Sequence, residues 1–352
     1  RQQTNAVGHA VRANYLYAGA ADLFMETGDA TLWTPLEELW KNVVQQKMHI
    51  TGGCGALYDG ASPDGARNQR VITRTHQAYG RNYQLPNLTA HNETCANIGN
   101  VLWNWRMFLA SGEARFMDIA ELALYNSVLS GVGLDGTNFF YVNPLRVLRP
   151  LPSELRWSRT RVPFVSSFCC PPNLVRTIAE SANYAYAKSE DAIWLNIYGS
   201  STLRTKVGGE IAALTQETDY PWEGRIKITW TEAPAHEMAL KLRIPGWAEG
   251  GSVRLNGERI DLKTEPATFA EVRRVWRRGD QLELEIPMPP RLIESNPYVE
   301  ETLNQVAVQR GPIVYCLESP DLPAGTSLKD LSIPWNLTLK PRYEPDFLGG
   351  VA

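Results

Sequence analysis

Along residues 7–48 apolar side chains return every three or four positions: Leu16, Ala20 and Leu23, then Leu32, Leu36, Leu39 and Val43. That spacing predicts two amphipathic helices. Gly28-Asp29-Ala30 supplies the break, a glycine to end one helix and an aspartate to cap the next. The two are expected to pack antiparallel. Helical periodicity returns at 91–109 and 113–129, and again at 173–187, where Pro171-Pro172 suit a helix start. Between 51 and 89 the pattern lapses into a polar, glycine-rich segment with Gly52-Gly53, Gly55, Asp59-Gly60 and Pro63-Asp64-Gly65. An unpatterned segment of that length is more often functional than idle.

After Lys188 the period changes to two. Ile193-Trp194-Leu195-Asn196-Ile197-Tyr198, Ile226-Lys227-Ile228-Thr229-Trp230 and Met238-Ala239-Leu240-Lys241-Leu242-Arg243-Ile244 alternate as half-buried strands do. Asn256-Gly257 between two short strand patterns marks a hairpin. Leu282-Glu283-Leu284-Glu285-Ile286-Pro287 closes this run, and the stretch from Val306 to Tyr315 opens another. The expected layout is multidomain, α plus β: a helical unit over 1–187, a β-sandwich over 188–290 and a second, incomplete β unit over 291–352.

Composition narrows the function classes. A chain of 352 residues, 43% hydrophobic and 21% charged, has enough apolar material for sizeable cores. A formal net charge of −3 and the lack of a long basic run give no electrostatic reason to expect nucleic acid. No apolar stretch reaches the roughly 18 residues a membrane helix needs, so no membrane partner is expected. The chain begins at Arg1, inside a helical pattern, and reads as a fragment lacking its N-terminal part. That leaves the compartment open, cytoplasm or periplasm, and the oligomeric state too, a homo-oligomer included. Five cysteines in a chain this long are no disulfide framework, so free or metal-bound thiols are expected.

Three of those cysteines fall into two short motifs, Glu93-Thr94-Cys95 and Phe168-Cys169-Cys170-Pro171. Glu93, Cys95, Cys169 and Cys170 together offer one oxygen and three sulfurs, the ligand number of a tetrahedral zinc site. The bland alternative, two small buried hydrophobes and an exposed helix carboxylate, holds for most isolated cysteines. A vicinal pair with a separate Glu-x-Cys makes it the weaker reading. Spacing does not say whether the metal is structural or catalytic.

Gly-Gly-x-Gly at 52–55, Leu85-Pro86-Asn87, Glu93-Thr94-Cys95-Ala96, Phe140-Tyr141-Val142-Asn143-Pro144 and Cys169-Cys170-Pro171 follow one another in an order that resembles glycoside hydrolase family 127. Arg243-Ile244-Pro245-Gly246-Trp247 and Gln309-Arg310-Gly311-Pro312 extend the resemblance over nearly the whole chain. It implies the later part of an (α/α)6 barrel followed by two antiparallel β-sandwich domains. It also implies β-L-arabinofuranosidase activity on the terminal sugar of a plant-type oligosaccharide or glycan. Carried over position by position, it makes Glu93, Cys95, Cys169 and Cys170 the Zn2+ ligands and Cys169 the nucleophile of a retaining mechanism. A free thiol titrates near roughly 8.5, and coordination to zinc holds it as the nucleophilic thiolate. Sulfur would then stand where most retaining glycosidases use a carboxylate oxygen.

The resemblance departs at the general acid, because the position of the family's glutamate falls on Gln77, whose amide neither donates nor recovers a proton near neutrality. Either another group such as His76 protonates the leaving oxygen, or the substrate brings its own acid, or the protein does not cleave by the family route. A glycosidase for a carboxylated L-sugar such as aceric acid therefore stands as one alternative. A non-catalytic, zinc-braced carbohydrate-binding homologue stands as another. A zinc hydrolase that activates water is a third, and it predicts an open metal position. The resemblance further assigns His9 and Tyr141 to sugar binding, and Glu121 more weakly. Taken alone, His9 reads as a hydrogen-bonded core residue and Tyr141 as a packed strand residue. His91 is expected to orient the metal ligands, while Cys54 and Cys316 stay outside the site. The three Asn-x-Thr matches at Asn87, Asn92 and Asn336 read as accidental, the second overlapping the metal motif. Most of the eleven tryptophans read as core.

Overall fold

The computed structural model describes residues 2–58, 75–147, 155–334, 336–346 and 350–352. Asp59-Gly60 and Pro63-Asp64-Gly65 of the glycine-rich segment lie outside them. Helices α1 (Ala10–Thr27) and α2 (Ala30–Gln46) meet where the sequence breaks. Gly28 adopts a left-handed φ of 66° and its N–H closes on the Phe24 carbonyl, while the Asp29 carboxylate accepts from the Thr31 N–H at 3.0 Å. The first helix starts later than its apolar pattern. Gly8, at φ 81°, turns the chain out of helical geometry, and Gly8–His9 forms a short strand, β1, antiparallel to β2 (Ala78–Tyr79). His9 therefore precedes α1 and does not belong to it.

Helix α3 (Thr94–Ser111) packs on α1, and the two come close because α3 carries Gly99: a Cβ there would lie 2.9 Å from the Asn14 Cβ. Helix α4 (Ala114–Leu122) does not run on regularly to residue 129 as its pattern suggests. It widens into a π-turn at Ala123–Val128 and ends in a 3-10 turn, Leu129–Gly131. Helix α5 (Cys170–Glu180) begins three residues before the expected start and stops earlier than 187. Both prolines sit in its first turn, where a missing N–H costs no internal hydrogen bond. Tyr17, Trp40, Val43, Ile98, Trp103, Met107 and Phe116 fill the core of this helical unit.

Strands follow from Tyr186: β3 (Tyr186–Lys188), β4 (Ala192–Leu195), β5 (Ser201–Val207), β6 (Glu210–Thr218), β7 (Arg225–Glu232), β8 (Glu237–Ile244), β9 (Ser252–Leu255), β10 (Glu258–Ile260), β11 (Thr268–Val275) and β12 (Gln281–Glu285). They form a six-stranded sheet, β10-β9-β12-β7-β6-β5, and a four-stranded one, β11-β8-β4-β3. The sheets share one core, in which Leu195, Leu240 and Leu242 of the smaller meet Ile226, Ile228, Trp230, Leu282 and Leu284 of the larger. One pair departs from the expected antiparallel order. β4 and β8 run parallel, because the chain leaves the smaller sheet after β4, builds three strands of the other and returns in the same direction.

Asn256-Gly257 is the hairpin turn between β9 and β10, with positive φ at both residues, 50° and 87°. The alternating stretch from Val306 is two strands, β14 (Val306–Arg310) and β15 (Ile313–Tyr315), folded back at Gly311-Pro312 and completed by β13 (Arg291–Glu294). A two-stranded pair, Tyr343–Glu344 with Gly350–Val351, stands apart from this sheet. Among the described residues no helix is long and apolar enough to cross a membrane.

Candidate functional site

Two helix N-termini converge on one point. Glu93 immediately precedes α3 and Cys95 lies in its first turn, while Cys169 caps α5 and Cys170 opens it. Partial positive charge at both ends favours thiolate and carboxylate there. The strand-like segment through Tyr141 and Val142 meets both: Glu93 bridges Val142, the Thr94 N–H donates to the Tyr141 carbonyl at 3.0 Å, and the Cys170 thiol lies 3.9 Å from that carbonyl.

The four side chains meet as the sequence predicts. One ligand atom from each of Glu93, Cys95, Cys169 and Cys170 lies within 4.8 Å of all the others, a group able to hold a metal ion. Sulfur separations are 3.5 Å for Cys95 to Cys170 and 3.9 Å for Cys169 to Cys170, and Glu93 Oε1 stands 3.7 Å from both Cys169 and Cys170. Glu93, Cys95 and Cys170 are buried; Cys169 is exposed. The thiols divide accordingly. Hydrogen bonds from Cys170 and Cys95 hold Cys169 well below the usual thiol range, whereas burial pushes Cys170 far above it. His91 stands beside the group, its Nε2 3.6 Å from Glu93 Oε2, and burial keeps its imidazole neutral.

Cys169 faces a cavity of about 350 Å³ whose wall includes His9, Arg12, Tyr15, Gln77, Tyr141 and Asn173. Gln77 is buried at a left-handed φ of 55°, held between two partners: it hydrogen-bonds His9, and its Nε2 donates to the Tyr141 hydroxyl at 2.9 Å. With the phenolic oxygen accepting from Gln77, its proton is free for Cys169, to which Tyr141 is also hydrogen-bonded. Tyr141 in turn stacks on Trp157, ring centres 3.9 Å apart. Burial lowers the pKa of His9 below its ordinary value, so the ring is neutral at pH 7.

Two expected residues lie elsewhere. His76 is not part of the cavity wall; its ring packs edge-on against Tyr58 and His9, at 5.7 and 5.8 Å. Glu121 does not contact the cavity either. It is fully buried between α4 and the sandwich, ion-paired with Arg243 and accepting a 2.7 Å hydrogen bond from the Tyr220 hydroxyl. Both contacts fall on Oε1 and set the carboxylate against the sandwich, away from the described cavity wall. Cys54 is buried beside Asn14 and Tyr79, outside the group, and Cys316 is exposed. Arg12, Tyr15 and Asn173 were not expected. A signal existed: Arg12 stands three residues after His9, and Asn173 four after Cys169, one helical turn from recognised site residues.

The chain matches the family model of the β-L-arabinofuranosidase GH127 catalytic domain over residues 1–183, that of the GH127 middle domain over 192–288, and that of the glycoside hydrolase family 127 C-terminal domain over 290–345. A curated relative, the non-reducing end β-L-arabinofuranosidase of Bifidobacterium longum subsp. longum, is 30% identical over 371 residues, covering 100% of this chain and 52% of the relative. Among solved structures, a chain described as a glycoside hydrolase is 48% identical with a TM-score of 0.93, covering 99% of this chain and 58% of that one. A GH127 β-L-arabinofuranosidase from Geobacillus stearothermophilus T6 is 40% identical with a TM-score of 0.89, over 99% of this chain and 53% of that one. The chain spans about half the length of these relatives.

Proposed function

The chain belongs to glycoside hydrolase family 127, and from that membership we propose that it works as a zinc-dependent, retaining exo-glycosidase on terminal β-L-arabinofuranose or a related L-sugar of a glycan. In this reading residues 1–187 are the later part of an (α/α)6 barrel, and 188–290 and 291–352 are β-sandwich domains. The observation that carries the chemistry is the asymmetry of the four-donor group. Three members are buried, and the fourth, Cys169, is exposed at the cavity that the group borders.

The donor set fits zinc. A tetrahedral ion with Zn–S bonds of about 2.3 Å needs sulfurs about 3.8 Å apart, and the sulfur separations here are 3.5 and 3.9 Å. A bound Zn2+ would keep the thiols deprotonated at neutral pH. Glu93, Cys95 and Cys170 would hold that centre, and Cys169 would both complete it and supply the nucleophile. Its sulfur attacks the anomeric carbon as the bond to the aglycone oxygen breaks, giving a glycosyl thioether; water then attacks from the face opposite the sulfur, which departs as thiolate, and the two inversions retain configuration. Tyr141 donates a hydrogen bond to the sulfur as it leaves, and Gln77 keeps that hydroxyl turned towards it. His9 and Arg12 line the place where the sugar and its leaving group sit. A second reading, a glycosidase for a carboxylated L-sugar, is favoured by Arg12, the one guanidinium among the described cavity residues.

The test is nitrophenol release from 4-nitrophenyl β-L-arabinofuranoside, with the Cys169→Ser variant as baseline. Release above that baseline, together with a pentosyl adduct on Cys169 in quenched samples, supports the reading. No release across several L-sugar glycosides leaves a zinc-braced binding protein instead.

A further inference from the structure

Building on the reading that Cys169 attacks an anomeric carbon, we propose that the sugar is joined to an acidic aglycone: an aryl, enol, acyl or phosphoryl oxygen that departs as an anion without being protonated. An ordinary alkyl glycoside must expel an alkoxide whose conjugate acid titrates close to that of water, about 16. Retaining enzymes avoid this by placing a carboxylic acid beside the leaving oxygen. Among the described residues this cavity holds no such acid. The one carboxyl among the described residues of its wall belongs to Glu93, a member of the four-donor group. Gln77 and Asn173 are amides, which donate hydrogen bonds but not protons.

The remaining groups are no better suited. Arg12 does not release a proton in a protein, and the Tyr15 phenol is pushed above its ordinary value by burial. His9 is neutral at pH 7 because burial lowers its pKa, and its Nδ1 is buried without a hydrogen-bond partner. What the cavity offers a leaving oxygen is therefore charge and hydrogen bonds. Arg12 is exposed and makes no ion pair with any described residue, which leaves its guanidinium for a departing anion.

The steps balance without an acid. In the first, the bond from Cys169 sulfur to the anomeric carbon forms as the bond to the aglycone oxygen breaks, and the electron pair leaves with that oxygen as an anion beside Arg12. In the second, water attacks the anomeric carbon, the sulfur departs as thiolate, and the neutral imidazole of His9 takes the water's proton and passes it to solvent.

A leaving-group series on the full protein tests this: 2,4-dinitrophenyl, 4-nitrophenyl, phenyl and methyl β-L-arabinofuranosides, followed by aglycone release and by mass of the Cys169 adduct. The expected result is a steep fall in kcat/KM as the aglycone becomes less acidic, with the methyl glycoside uncleaved. Gln77→Glu is expected to flatten the series, raising the rate on the phenyl glycoside relative to that on the dinitrophenyl one by about a hundredfold or more, the span of general acid catalysis, and to make cleavage of the methyl glycoside detectable. Cleavage of the methyl glycoside by the unaltered protein within tenfold of the nitrophenyl one overturns the proposal and leaves the retaining reading standing. Absence of both turnover and adduct on the dinitrophenyl glycoside overturns the two together.

Discussion

At the scale of single residues, what separates Cys169 from Cys170 is exposure. Both sulfurs stand 3.7 Å from Glu93 Oε1, but only Cys169 is open to the cavity. Cys169→Ser is expected to lower kcat on the order of 10³-fold or more, the usual cost of removing a nucleophile. Cys170→Ser and Cys95→Ser are expected to lower zinc content, measured by plasma mass spectrometry, along with thermal stability. Retention of full zinc by both would remove the metal assignment. His49 carries a pH prediction of its own. Its Nε2 faces the Pro86 carbonyl at 3.3 Å and its Nδ1 faces the Asn92 amide at 3.0 Å, a pairing that suits the neutral ring, and burial pushes its pKa down to about 4. The unfolded chain takes up this proton near pH 6.5 and the native one does so only near 4, so stability is expected to fall as pH drops between them. The loss is about 3 kcal/mol at most. Urea midpoints from pH 7.5 to 4.5 should slope less in His49→Gln than in the unaltered protein.

At the scale of elements, local chemistry was legible where one residue type decides the geometry. Gly28 and Asp29 mark the boundary of α1 and α2 as the sequence predicts, and Asn256-Gly257 makes the hairpin. Asp29→Ala is expected to cost about 1 kcal/mol, the usual loss for a helix N-cap, read as a shift in the urea midpoint. The elements that escaped the pattern are those shaped by neighbours distant in sequence. The π-turn Ala123–Val128 has a helical pattern, but its Ser127 carbonyl accepts from both Asn97 and Asn143 at 3.2 Å, and Gly52 lies against Ala123. A Cβ on Gly52 would come within 2.8 Å of Ala123 Cα, and φ there is 77°. Gly52→Ala is therefore expected to destabilise by more than about 1 kcal/mol. A midpoint unchanged within error would mean that the close approach is relieved at no cost.

At the scale of the whole molecule, the helical unit and the sandwich are joined by a buried charge cluster. Arg243 of β8 is fully buried, paired with Glu121 and Asp118 of α4, while the Asp118 carboxylate also accepts from the Gly246 N–H at 3.0 Å. Breaking such a cluster from one side strands charge in a dry interior, so Arg243→Met is expected to cost about 3–5 kcal/mol. Adding Glu121→Gln should recover part of that loss, and calorimetry of the single and double variants measures the coupling. The sequence alone determined the donor set, the helical-then-strand order and the absence of a carboxylic acid at position 77, because each follows from residue identity or from a period of a few residues. The tertiary structure alone decided that Glu121 serves the interface and that Cys169 is the open thiol. It also decided that Arg12, Tyr15 and Asn173 line the cavity. Those assignments depend on which surfaces meet across a chain separation such as the 76 residues between Glu93 and Cys169. Packing fixes such meetings, and no local period encodes them.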